Sequence, residues 1–208
     1  MSVAQTNSVR NLEHLYTTVV ALALSLAIYN LIDVTRGSLP FRLELVPFFF
    51  TFLITLIPFY HGALRHLDIT YVEQGGRHVR KGALLVDFSA LFIEGCLFVV
   101  LSALLTRPLF FVWGLVALLA FDTIWGVTAY LAFSKEGKPK AELTWALINF
   151  VSVVVISIYL IVLGFVPSNE VEYVGSLKLS AGMFGFSLSR TVVDYILCWD
   201  TYYPSVKH

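Results

Sequence analysis

Six stretches of the chain are almost unbroken apolar runs, set off by short polar segments: Leu12–Ile32, Leu45–His61, Gly82–Leu105, Leu109–Phe133, Leu143–Phe165 and Leu179–Trp199. A helix needs about 20 largely apolar residues to cross the hydrocarbon of a bilayer. A transmembrane strand would instead alternate polar and apolar residues over roughly ten positions. The Val- and Ile-rich run Val151–Leu163 does not alternate. In lipid every backbone N–H and C=O must be paired within the protein, and a helix does this locally. The pattern predicts an all-α, polytopic membrane protein: a single domain over residues 1–208, folded as a six-helix transmembrane bundle with short loops.

Breaks in the pattern refine the elements. Pro47 can start the second helix, because its missing N–H falls among the unpaired first-turn donors. Pro58 is expected to kink that helix in its last turn, since it cannot bond the carbonyl four residues back. Thr106-Arg107-Pro108 forms a tight turn between the third and fourth helices. The longest loop, Gly62–Lys81, contains Gly75-Gly76 between Ile69–Val72 and Arg77–Arg80, a pattern that predicts a small hairpin. Gly182, Gly185 and Ser189 form a small-residue stripe that permits close helix contact.

Composition agrees with a membrane solvent. Hydrophobic residues make up 58% and charged residues 13%, with a mean hydropathy of +0.79. A soluble domain carries roughly a quarter of its residues as Asp, Glu, Lys and Arg. The formal net charge of +0 argues against wholesale binding of nucleic acid. The two cysteines, Cys96 and Cys198, are too few for a disulfide framework and read as packing residues. The first run is long for a secretory leader and no A-x-A site follows it, so it reads as the first span.

Lys and Arg favour the cytoplasmic side of a membrane protein. With the N-terminus inside, nine of them (Arg10, Arg65, Arg77, Arg80, Lys81, Lys135, Lys138, Lys140, Lys207) fall in cytoplasmic segments. Four (Arg36, Arg42, Arg107, Lys178) fall on the other side. Both termini are expected in the cytoplasm, most simply at a plasma (inner) membrane.

Against this apolar background the polar residues within spans stand out: Asp87, Glu94, Asp122, Arg190 and Asp194, with His61 and Asn149. A charge at a helix centre costs about 2.5–3.5 kcal/mol on insertion scales, so such residues face one another or a wet cavity. Asp87 and Glu94 are seven apart and share a face of the third helix. Arg190 and Asp194, four apart, are spaced for an ion pair along the sixth helix. Asp122 lies mid-span, one turn before Trp125, whose buried N–H needs a partner. His61, Asp87, Asn149 and Asp194 are expected toward the cytoplasmic half, with Glu94, Asp122 and Arg190 deeper. Tyr16, Trp113, Trp145, Trp199, Tyr202 and Tyr203 sit near span ends, where an interfacial aromatic belt is expected.

Four acids against Arg190 leave three negative charges if all are ionised, which a low-dielectric interior does not hold. Either some acids carry protons or a cation supplies the balance. Three functions fit. The first is a transporter or channel for protons, a cation or a small polar solute. The second is an intramembrane enzyme acting on a lipid or lipid-linked substrate. The third is a membrane assembly or scaffold subunit whose polar residues join helices. For the enzyme, His61, Asp87, Glu94 and Asp122 could hold a metal, or two carboxylates could work as acid and base. Neither H-E-x-x-H nor G-x-S-x-G occurs, so a metal site is only weakly signalled and the cofactor is unknown. The bilayer is the first partner, and a further one would be a second copy or another membrane protein.

Overall fold

The computed structural model describes residues 3–32, 40–73, 82–133, 141–163 and 177–204, and they are almost wholly helical. Six long helices run in chain order: α1 (Val3–Leu31), α2 (Val46–Leu67), α3 (Ala83–Ala103), α4 (Pro108–Phe133), α5 (Ala141–Val162) and α6 (Leu177–Leu197). A single short turn, α7 (Trp199–Tyr202), follows. The β pairing among the described residues is one isolated bridge, Ile32 with Phe41. Five segments are long and apolar enough to cross a membrane: Thr6–Leu31, Leu43–Val72, Ala83–Thr106, Pro108–Leu131 and Ala141–Val162. They make the chain a membrane-embedded protein. α6 has the length, with 21 residues, but carries Lys178, Arg190, Asp194 and three serines, and so is less apolar.

The expected runs and the helices coincide over most of their length, with two differences. α1 begins at Val3, nine residues before the first apolar run. α2 does not stop at His61 but continues to Leu67, and then to a wider π-helical turn over Asp68–Glu73. The expected loop therefore starts later. Ile69–Val72 is helical rather than one arm of a hairpin, and residues 74–81 lie outside the described residues. Pro58 consequently sits well inside α2, not in its last turn.

Proline at position 58 cannot bond the carbonyl of Ile54, four residues back. That carbonyl accepts the hydroxyl of Thr191 on α6 instead, at 3.1 Å. The break in α2 thus becomes a tie between helices. α2 packs chiefly on α6, α1 on α3 and α4 on α5. Asn30 of α1 donates to the Ser102 carbonyl of α3 at 2.9 Å. α4 and α5 approach closely at Gly126, where a Cβ would lie 2.9 Å from the Glu142 carbonyl oxygen. Phe52 and Phe59 of α2 set their rings edge-on to Phe98 of α3.

The distribution of side chains is inverted relative to a water-soluble bundle. Ile124 is 69% exposed, while Asp122, two positions before it on α4, is 7% exposed. Leu22, Leu85, Leu131, Leu147, Ile158 and Val162 also face outward. An apolar exterior of this extent marks contact with membrane. α6 follows the same rule: Leu188, Val192, Val193 and Ile196 face out, whereas Ser187, Arg190 and Asp194 are buried.

Candidate functional site: a polar cavity and an adjoining histidine centre

The inward faces of six elements close on one cavity. α2 supplies Pro58, Phe59, Gly62 and Ala63, α3 supplies Glu94, and α4 supplies Asp122 and Trp125. α5 supplies Trp145, Ile148 and Asn149, α6 supplies Arg190 and Asp194, and α7 adds Tyr202. The space open to the centre of a water molecule is about 30 Å³, room for roughly two waters.

Each charged group in the wall has a defined partner. Glu94, on the face of α3 that meets α1, accepts the hydroxyl of Tyr16. Asn149 joins two helices: its amide nitrogen donates to Asp122, and its amide oxygen accepts from Nε and Nη2 of Arg190. Only this orientation of the amide suits a carboxylate on one side and a guanidinium on the other. The guanidinium lies over the Phe59 ring, 5.1 Å from its centroid, a favourable placement for a cation in an apolar wall. Asp194 accepts the Tyr202 hydroxyl at 3.1 Å. Burial, and next the Asp194 carboxylate, push the Tyr202 phenol above its ordinary range, so it serves as a donor.

Of the residues singled out in the sequence, Glu94, Asp122, Trp125, Asn149, Arg190 and Asp194 line this cavity. The expected Arg190–Asp194 ion pair along α6 is not what the structure has. Arg190 turns to Asn149 and Asp194 to Tyr202. Nη1 of Arg190 and Oδ1 of Asp194 are buried without a hydrogen-bond partner. His61 stands outside the wall, half-buried, with Nδ1 3.3 Å from the Tyr195 hydroxyl and its ring against Tyr202.

Asp87 belongs to a second centre. His66 of α2 is fully buried between two carboxylates: Nε2 lies 3.2 Å from Asp87 Oδ2, and Nδ1 lies 3.2 Å from Glu142 Oε1. Tyr71 donates to the same Asp87 oxygen at 2.6 Å. A neutral imidazole has one N–H and can serve only one of two carboxylates. Both contacts are hydrogen bonds only if His66 is doubly protonated or one carboxyl carries the proton. The two centres adjoin at Trp125, which lines the cavity and sets its ring edge-on to His66, with centroids 4.9 Å apart.

Several members of these centres were not apparent as such in the sequence. Tyr16, Trp145 and Tyr202 had the span-end positions of an aromatic belt, yet they turn inward. Trp199 and Tyr203 do remain exposed. Glu142 lies on the second residue of α5, just before the apolar run, and His66 lies beyond the expected end of α2. The small-residue stripe of α6 permits close contact at Gly182, where a Cβ would run into the Tyr159 hydroxyl of α5, whereas a Cβ on Gly185 would meet nothing within 4 Å. The described cysteines are unpaired, Cys96 exposed and Cys198 buried.

What this chemistry can do is hold and exchange protons, orient a small polar species, and exclude lipid from both. Compared with known proteins, the chain matches no family model, no curated protein and no solved structure.

Proposed function

We propose that this chain is an integral membrane transporter or channel for protons, a cation or a small polar solute, with Glu94, Asp122 and Asp194 as its working groups. α6 is its sixth span. Both termini face the cytoplasm, most simply at a plasma (inner) membrane. The observation that carries the reading is the cavity itself: three carboxylates and one guanidinium around a small polar space, inside a bundle with an apolar exterior. Ionisable groups at this depth are costly, and a coupled or conducted species is the usual reason to keep them. In each acid the structure ties one carboxylate oxygen to a neutral donor (Tyr16, Asn149, Tyr202). A carboxyl group held in this way can still gain or lose a proton. Arg190 limits how negative the site becomes and fixes Asn149.

The test is flux. In liposomes, wild type is expected to move protons or a small cation, and Glu94→Gln and Asp122→Asn each to lose at least tenfold while remaining folded. Absence of flux for any tested species, with folded wild type, would refute the reading. A second reading, an intramembrane enzyme acting on a lipid, is favoured by one observation, His66 held between Asp87 and Glu142 as an acid–base centre needs. It predicts a changed lipid species by mass spectrometry in membranes containing wild type but not His66→Gln.

A further inference from the structure

We infer that the species handled by the cavity is the proton, held on the carboxylates and passed through one or two bound waters, rather than a metal cation or a larger solute. This rests on the transport reading above and narrows it.

The first observation is charge against room. Glu94, Asp122 and Asp194 oppose Arg190 alone, so full ionisation leaves two negative charges around about 30 Å³. All four groups are at least nine-tenths buried. A cation in a space for roughly two waters must shed its hydration shell and take its ligands from the wall. Two protons require no space.

The second is the chemistry of the wall between the acids. Trp125, Trp145 and Arg190 line the cavity, and their side chains are hydrogen-bond donors with no acceptor, so none of them can ligate a metal ion.

The third is the separation of the acids. A metal ion gathers oxygens around one point at short distance. Here each carboxylate is held by a donor from a different helix: Tyr16 on α1, Asn149 on α5, Tyr202 on α7. Among the described residues no three acids, histidines or cysteines gather closely enough to hold a metal ion. Such an arrangement binds protons one carboxyl at a time, and each proton is released as the same species that arrived.

The experiment is ion selectivity of the wild-type protein in liposomes, read with an internal pH dye under a potassium-clamped potential. Infrared spectroscopy of the same membranes reads protonated carboxyl groups. Expected is a proton flux unchanged when sodium is exchanged for potassium or choline. A carbonyl band of protonated carboxyl that diminishes in Glu94→Gln or Asp122→Asn is also expected. Flux that follows the sodium, potassium or organic-solute gradient with no proton movement overturns the inference and leaves the transport reading standing. Absence of flux for every species overturns both. Wild type alone decides the selectivity, so misfolding of a variant does not blunt the test.

Discussion

Asn149 shows how much one uncharged side chain can hold. Its donor faces Asp122 and its acceptor faces Arg190, so one amide satisfies a carboxylate and a guanidinium from different helices. Replacing it by leucine leaves Arg190 buried without its hydrogen-bond partner. Leaving a buried polar group without its hydrogen-bond partner costs about 1–3 kcal/mol, and more when the group is charged, and a loss toward the upper end of that range is expected for Asn149→Leu in detergent unfolding. Asn149→Gln, which keeps both functions, should lose less. His66 is a second such joint. His66→Leu removes both contacts to Asp87 and Glu142, whereas His66→Gln keeps a donor, so the leucine variant should unfold at the lower denaturant concentration. From the sequence, Glu94, Asp122, Asn149 and Arg190 were legible because each interrupts a long apolar run. His66, Glu142, Tyr16, Trp145 and Tyr202 were not. Near a span end, a polar or aromatic residue is equally at home at the interface or inside, and only the rotation of its helix against its neighbours decides.

Among the elements, α2 departs most from the expected pattern, and for a physical reason. His61, Arg65 and His66 end its apolar run, but the helix continues because those side chains find protein rather than lipid. Arg65 Nε donates to the Thr201 carbonyl at 2.9 Å, and His66 turns into the interior. The carbonyl freed by Pro58 is met by Thr191 across the α2–α6 contact. Interhelical hydrogen bonds in membranes average about 0.6 kcal/mol, and Thr191→Val is expected to cost about that much. In a Pro58→Ala background the restored N–H can take the Ile54 carbonyl, and the cost of Thr191→Val should vanish, as a double-mutant cycle would read. At the α4–α5 contact, Gly126→Ala sets a Cβ against backbone rather than a side chain that can swing away. Overpacking of this kind costs about 1–3 kcal/mol. The same change moves Glu142 relative to His66, so thermal unfolding should shift downward in this variant even though no charged group is altered.

For the whole molecule, the apolar pattern was enough to foretell helices and a membrane, because lipid leaves the backbone few other solutions. It was not enough to show how the helices turn. Five of them qualify as spans by length and composition. α6 falls short because its polar residues lower its average, although its exposed side is Leu188, Val192, Val193 and Ile196 and its buried side holds Ser187, Arg190 and Asp194. An average over a helix is blind to which side faces lipid. The transport reading depends on an interior that collects the charges while the exterior stays apolar, and α6 is where that can be probed. Spin labels introduced one at a time from Ser180 to Leu197 in liposomes report contact with lipid-dissolved oxygen by paramagnetic relaxation. The expected profile repeats every 3.6 residues, high at 188, 192 and 196 and low at 187, 190 and 194. High oxygen contact at 190 and 194, or an outer face that meets water instead of lipid, would contradict a sixth span with its charges turned inward.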